Sequence, residues 1–109
     1  MSKKYVNVPQ DSTGFTLIKS GFYTQSGKNY KQETGDINSI LITTTEENNS
    51  CEVDVFLEDI NDTSNDYFII KNVILPPGAS ILLEDNVSFD IKKYCLKINS
   101  NRTATVIIK

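Results

Sequence analysis

The stretch Cys51-Glu-Val-Asp-Val-Phe-Leu-Glu58 decides the fold class of this chain. Every second residue from Cys51 to Leu57 is apolar, and acidic side chains fill most of the positions between them. Because successive side chains of a β-strand point to opposite faces, this two-residue period predicts a half-buried strand. Phe56 is the apolar residue that interrupts the polar face.

Runs of β-branched and aromatic residues recur on both sides of this strand and predict further strands. These runs are Phe15–Thr24, Ile37–Thr45, Tyr67–Ile74, Ser80–Leu83, Tyr94–Asn99 and Ala104–Ile108. Tyr5–Val8 is a candidate for one more strand. Pro9 follows it and lacks a backbone N–H, so this strand is expected to end there and to lie at the edge of a sheet.

The segments between the runs carry turn residues. Pro76-Pro77-Gly78-Ala79 predicts a type II turn, since the fixed φ of proline suits the second position and glycine accepts a positive φ at the third. Glu46–Ser50 and Ser100–Thr103 are expected to be compact connections of the hairpin type, and Asn61–Asp66 a wider polar loop. No window has the apolar period of a long helix, although Asp90–Lys93 fits a single turn.

Strands and short turns together predict an all-β fold, a two-sheet antiparallel β-sandwich (Ig-like or jelly-roll-like) of seven to eight strands. We expect residues 13–109 to form the sandwich domain and residues 1–12 to form an N-terminal arm or edge strand. The alternation predicts a core between the sheets, and Tyr94 is expected to join it. Its members are Ile40, Ile42, Val53, Val55, Leu57, Phe68, Ile70, Leu82, Leu96, Ile98, Val106 and Ile108.

Composition excludes several classes of function. The chain has 109 residues, which suits one domain with one modest core. Its 11 basic and 14 acidic residues give a net charge of -3, the wrong sign for a nucleic-acid partner. Histidine, the usual general base and a common metal ligand, is missing. No segment has the apolar length of a membrane helix or of a secretory signal, so we expect no membrane partner and synthesis in a cytosol.

The order of sequence phrases from Ile37 to the end carries a family resemblance. The phrases are Ile37-Asn-Ser-Ile-Leu-Ile-Thr, Cys51-Glu-Val-Asp-Val-Phe-Leu-Glu, Tyr67-Phe-Ile-Ile-Lys-Asn-Val, Ile74-Leu-Pro-Pro-Gly-Ala-Ser-Ile-Leu-Leu, and finally Tyr94-Cys-Leu-Lys-Ile with Ala104-Thr-Val-Ile-Ile. This succession resembles the small β-sandwich virion proteins of tailed bacteriophages, which repeat a V-x-V-Y-L strand and an I-P-x-G-x-S/T-L-x-L segment.

The resemblance implies a non-enzymatic structural protein of the virion, made in the cytoplasm of a bacterial host. It would be an accessory component of the head, neck or tail, such as a capsid decoration or stabilising protein, and would assemble in multiple copies as a homo-oligomer. Its partners would be other copies of itself and a major capsid, neck or tail protein. The resemblance implies no catalytic residues and no cofactor.

Partner contacts are predicted first at the N-terminus. Lys3, Lys4 and Tyr5 place two positive charges beside an aromatic ring on an acidic protein, and a neighbouring molecule easily orders a terminal segment. The plainer interpretation is that a short charged terminus is simply solvated.

Four further residues are candidates for partner contacts. Phe22 and Tyr23 are adjacent and must therefore face opposite ways. Tyr30 lies in Gln25–Asp36, the longest segment without strand character, and Ile69 lies in a strand that is apolar on both faces. The plainer interpretation treats these side chains as filler at the rim of the sandwich. A carbohydrate-binding or adhesion module that uses Tyr23, Tyr30 and loop amides is the alternative function.

Reactive chemistry has weak support in the sequence. Acidic residues crowd one predicted loop and its flank, namely Glu58, Asp59, Asp62 and Asp66. Such a loop can hold calcium, but the spacing lacks the alternating ligand pattern, so solvated carboxylates and no metal are expected. Cys51 and Cys95 are expected to be reduced apolar fillers, with Cys95 partly exposed because it alternates with Leu96.

Overall fold

The computed structural model describes residues 4–19, 36–84 and 88–109, together with the backbone of residues 24–25 and 28–29. In chain order the strands are β1 (Lys4–Val8), β2 (Ser12–Ile18), β3 (Thr24–Gln25), β4 (Lys28–Asn29), β5 (Ile40–Thr44), β6 (Cys51–Asp59), β7 (Asp62–Leu75), β8 (Ser80–Leu83), β9 (Tyr94–Ser100) and β10 (Ala104–Ile108). The described residues contain no helix long and apolar enough to cross a membrane.

Eight of these strands form two four-stranded antiparallel sheets, and β3 pairs with β4 separately. Sheet A has the order β1-β10-β5-β8, and sheet B has the order β2-β9-β6-β7. The pairs are nested, β1 with β10, β2 with β9, β5 with β8 and β6 with β7, so the chain runs as one long double strand folded over on itself. The predicted two-sheet β-sandwich is confirmed, and β1 lies at a sheet edge as Pro9 predicts.

This nesting is the strand order of a jelly roll, in which each of two sheets has four strands. In an Ig sandwich the first two strands share one sheet. Here β1 belongs to sheet A and β2 to sheet B, so the fold follows the jelly-roll alternative.

Two predicted turns are confirmed. The Ala79 N–H donates to the Pro76 carbonyl at 3.0 Å, and Gly78 has φ 72°, as a type II turn requires. The N–H groups of Lys93 and Tyr94 both donate to the Asp90 carbonyl, at 2.9 and 3.0 Å, and close the single turn before β9.

The two short polar connections are not hairpins, and this part of the prediction is wrong. Glu46–Ser50 joins β5 in sheet A to β6 in sheet B, and Ser100–Thr103 joins β9 in sheet B to β10 in sheet A. Four or five extended residues can span the roughly 10 Å between two packed sheets, so length alone does not distinguish the two kinds of connection.

Most residues predicted for the core are buried between the sheets. The buried members are Ile40, Ile42, Val53, Val55, Leu96, Ile98, Val106 and Ile108, and Leu57 and Ile70 pack partly buried against them. Leu82, however, is 51% exposed. The register places Ile81 opposite Ile42, so Ile81 points inward and Leu82 points outward. Because β8 is apolar at three consecutive positions, its pattern does not determine which face is buried.

Phe68 was also predicted for the core, and it is 41% exposed. The partner of β6 changes from Ile70 at Val55 to Phe68 at Phe56, so β7 has one extra residue, Ile69, at this point. Such a bulge reverses the alternation of the strand that contains it. Phe68 therefore lies on the outer face of sheet B, against a Phe56 that is only 4% exposed.

The predicted loop Asn61–Asp66 is wrong as well. Asp59 pairs with Asp62, so the turn consists of Ile60 and Asn61, and β7 begins at Asp62. All residues from Asp62 to Phe68 are exposed, because this half of β7 is an edge strand that carries polar residues on both faces. The polar composition of Asn61–Asp66 is therefore that of an exposed edge strand, although it is also typical of a loop.

A chain of side-chain hydrogen bonds crosses all four strands of sheet B. The Gly14 N–H donates to Asn99 Oδ1 at 2.7 Å, and Asn99 Nδ2 donates to Asp54 Oδ2 at 3.0 Å. The other carboxylate oxygen, Asp54 Oδ1, accepts from the Asn72 N–H at 2.6 Å. Gly14 and Asn72 have φ values of 66° and 56°, so this polar ladder holds a left-handed residue on each edge strand of the sheet.

Candidate interaction surfaces

Four apolar side chains lie in one row across the outer face of sheet A. The strand register pairs Tyr5 with Ile107, Ile107 with Leu41, and Leu41 with Leu82. Tyr5 is 67% exposed, and Ile107 and Leu41 are half-buried between it and Leu82. Since neighbouring strands lie about 4.8 Å apart, the row is about 14 Å long. We call these four residues the sheet A row.

The row beside it is polar but uncharged. It contains Asn7, Thr105, Thr43 and Ser80, and Thr105 Oγ1 donates to Asn7 Oδ1 at 3.0 Å. None of the outward positions of β1, β5, β8 and β10 carries a charged side chain. A partner can therefore cover the sheet A row without removing a charge from water, which is costly.

Further exposed apolar side chains lie on both faces and at the turn of the β6–β7 hairpin. They are Ile60, Tyr67, Phe68 and Ile74. The rings of Phe68 and Phe56 have centroids 5.2 Å apart, and Lys71 Nζ lies 4.5 Å from the Phe68 centroid. The Tyr67 and Tyr94 rings meet edge to face at 5.9 Å. Contacts within the protein thus hold the exposed rings in place.

The structure describes three of the residues predicted to contact a partner. Lys4 is half-buried at the start of β1, and Tyr5 belongs to the sheet A row. Ile69 is half-buried at the bulge in β7 and packs against the core. Tyr5 and Ile69 lie on different sheets, so they belong to separate surfaces. Lys3, Phe22, Tyr23 and Tyr30 lie outside the described residues.

The sequence interpretation missed three members of the sheet A row, namely Leu41, Leu82 and Ile107. Their signal is three consecutive apolar residues in a strand, as in Ile40–Ile42 and Val106–Ile108. Such a strand is apolar on both faces, so one apolar side chain must point away from the core.

Cys95 is buried, although it was expected to be partly exposed. It lies opposite Glu58 on the outer face of sheet B, and Lys97 Nζ donates to Glu58 Oε1 at 2.9 Å beside it. Burial raises the pKa of the Cys95 thiol, and the hydrogen bond that Lys97 donates to Glu58 raises the pKa of Lys97. Both cysteines are free, and Cys51 contacts Ser100 Oγ in the core at 3.2 Å.

These pKa shifts predict a loss of stability in alkali. A thiol whose pKa is raised on folding contributes stability that is fully present below its ordinary value of 9.0 and is lost as the pH rises through the folded value. We therefore expect the difference in unfolding free energy between the wild type and Cys95→Ala to be constant at neutral pH and to narrow above pH 9.0. Urea unfolding of both proteins over a pH series measures this difference. A difference that widens above this pH would contradict the expectation.

The acidic residues of the β6–β7 turn have local partners. Asp59 Oδ1 accepts from the Asn61 N–H at 2.9 Å, and Asp62 Oδ1 accepts from Ser64 Oγ at 2.6 Å. Within residues 4–19, 36–84 and 88–109, no three acidic or cysteine side chains are placed to hold a metal ion. These carboxylates shape the turn.

A polar groove of about 290 Å³ lies at one end of sheet B, where β2, β6 and β9 meet. Its lining residues are Asp11, Ser12, Thr13, Glu52, Asp54, Asn99, Ser100 and Asn101. Asp54 and Asn99 belong to the polar ladder, and Asn101 Oδ1 accepts from the Glu52 N–H at 2.8 Å. Several of the groups that line the groove are therefore already used within the sheet.

The fold and its surfaces define a jelly-roll protein with an apolar row across one sheet and, among the described strands, a long edge strand on the other. Comparison with protein families, characterised proteins and solved structures gave no match.

Proposed function

We propose that this chain is a non-enzymatic structural protein of a tailed-bacteriophage particle, an accessory component of the head, neck or tail that assembles in multiple copies. The observation that carries the proposal is the sheet A row. An apolar row that crosses every strand of one face, beside an uncharged polar row, is suited to packing against a larger protein surface.

Two further points support this proposal. Viral capsid proteins are among the proteins built on jelly rolls, although the same architecture also serves lectins, and fold alone does not specify function. The sequence resemblance to small virion proteins covers β5 to β10, which supply three of the four strands of sheet A. In this proposal the sheet A row contacts the major capsid, neck or tail protein.

The test adds purified protein to phage particles assembled without it and measures co-sedimentation. We expect the wild type to saturate the particles, and Tyr5→Ser and Leu82→Ser each to weaken binding about tenfold, since each removes an apolar contact that the interface would bury. Ile60→Ser is the matched control, since it removes an exposed apolar side chain from the opposite sheet and should bind as the wild type does. Equal binding by all four proteins, or absence of the protein from purified particles, would refute the proposal.

Glycan binding is the second candidate, and the polar groove on sheet B is the observation that favours it. Its amides and carboxylates are of the kind that hold sugar hydroxyls. A glycan array run on the wild type separates the candidates. Binding by a monomer that does not associate with particles would replace the first proposal by this one.

A further inference from the structure

The outer edge of β7 is the longest strand edge in the structure. β7 has 14 residues beside the nine of β6, and no described strand pairs with its other edge. An unpaired edge offers a row of N–H and C=O groups to any strand that can align with it. The segment Asp66-Tyr-Phe-Ile-Ile-Lys71 lies in the middle of this edge and contains neither proline nor glycine.

We propose that Asp66–Lys71 pairs antiparallel with the same segment of a second copy of this chain. This inference rests on the proposed function, which requires several copies to assemble, and it names the contact between them. The two chains would be related by a twofold axis between Phe68 and Ile69. Sheet B would then continue into sheet B of the second copy.

Charge complementarity fixes the partner and the register. The segment begins with an aspartate, ends with a lysine and has four apolar residues between them. In the symmetric register, Asp66 of each copy faces Lys71 of the other, and Tyr67 faces Ile70. Moving one strand by two residues removes both charge pairs. Opposite charges that face each other across two strands are stabilising, whereas like charges are destabilising.

The faces of the outer two pairs agree with this register, whereas Phe68 and Ile69, which meet at the twofold axis, lie on different faces because of the bulge, so the ladder is irregular there. Residues that face each other in an antiparallel pair must lie on the same face of the sheet. Asp66 pairs with Glu58 on the outer face, and Lys71 lies over the Phe68 ring on that same face. Tyr67 and Ile70 pair with Leu57 and Val55, which point to the inner face.

The bulge at Ile69 makes this agreement possible. Asp66 and Lys71 are five positions apart, so a regular strand would place them on opposite faces. The extra residue in β7 restores them to one face. Both charges are exposed and available to a second copy.

Charge reversal tests the pairing by sedimentation. In a dimer of the Asp66→Lys variant, the new cation of each copy faces Lys71 of the other copy. In a dimer of the Lys71→Asp variant, the new carboxylate of each copy faces Asp66 of the other copy. We expect each single variant to raise the dimer dissociation constant about tenfold, since two attractions become two repulsions. An equimolar mixture of the two variants should form dimers with wild-type affinity, because each cationic edge then meets an acidic one. The double variant Asp66→Lys/Lys71→Asp should dimerise as the wild type does.

Asp62→Lys is the matched control, because it makes the same charge change on the same strand outside the paired segment. It should leave the dissociation constant unchanged. A monomeric wild type, or single variants that dimerise like the control, would overturn the pairing. Co-sedimentation with particles is scored separately, so a protein that binds particles through the sheet A row but does not pair through β7 refutes this inference and leaves the proposed function standing.

Discussion

Ile42→Ala will lower the free energy of unfolding by about 2–5 kcal/mol, the range for truncating a fully buried aliphatic side chain. Ile42 is completely buried in the middle of sheet A. It lies in the inner cross-strand row with Val6, Val106 and Ile81, so the truncation leaves a cavity that the rigid sheet cannot fill. Urea unfolding followed by circular dichroism measures the change.

Leu82→Ala is the matched control for this prediction. It lies on the neighbouring strand of the same sheet but points outward, so its truncation should change the unfolding free energy by less than about 0.5 kcal/mol. Because β8 is apolar at both faces, a shift of its register by one residue would exchange Ile81 and Leu82. A cost for Leu82→Ala as large as that for Ile42→Ala would show that this exchange occurs in solution. A small cost also makes the particle-binding test of Leu82→Ser interpretable, since the variant then folds.

The sequence predicted the strands of this fold well because their apolar period is a local property. The inward residues of β6, β9 and β10 are buried as their alternation predicts, although Phe56 and Ile107 add apolar side chains to the outer faces. The errors arise where a non-local feature intervenes. The face on which Phe68 lies depends on a bulge that is visible only in the pairing of β7 with β6. Whether a short polar segment turns back within one sheet or crosses to the other depends on the order of the strands in the sheets.

The interaction surfaces were harder to predict from the sequence, because they too depend on non-local strand pairing. Tyr5 was identified as a contact residue, but its neighbours Ile107, Leu41 and Leu82 come from three distant parts of the chain. Only the register of sheet A brings them into one row. The sequence identified Ile69 as one apolar residue more than the inner face of its strand needs. In the structure Ile69 is the bulge residue that places Asp66 and Lys71 on one face of β7.

Asp54→Ala will lower the free energy of unfolding by about 1–3 kcal/mol, because it removes two hydrogen bonds that each contribute about 0.5–1.5 kcal/mol. Asp54 accepts hydrogen bonds from the Asn72 N–H and from Asn99 Nδ2, and its removal interrupts the polar ladder in the middle. Asn72 has φ 56°, and this hydrogen bond helps to hold it in the left-handed region, which is costly for a residue with a side chain. We expect the amide proton of Asn72 to exchange faster in the variant.

Asp54→Asn refines this prediction, because its side chain has the same shape but only one acceptor oxygen. If that oxygen accepts from the Asn72 N–H, the NH₂ group of the new side chain faces the NH₂ group of Asn99. Asn99 must then turn over, and the Gly14 N–H loses its acceptor. In the opposite orientation the amide oxygen accepts from Asn99, and the Asn72 N–H loses its acceptor instead. Both orientations therefore lose one of the three hydrogen bonds, and we expect a cost of about 0.5–1.5 kcal/mol. Glu52→Ala, an exposed carboxylate earlier on the same face of β6, should cost less than about 0.5 kcal/mol. If Asp54→Ala costs no more than Glu52→Ala, the ladder does not stabilise the two left-handed residues, and the edge strands keep their bulges without it.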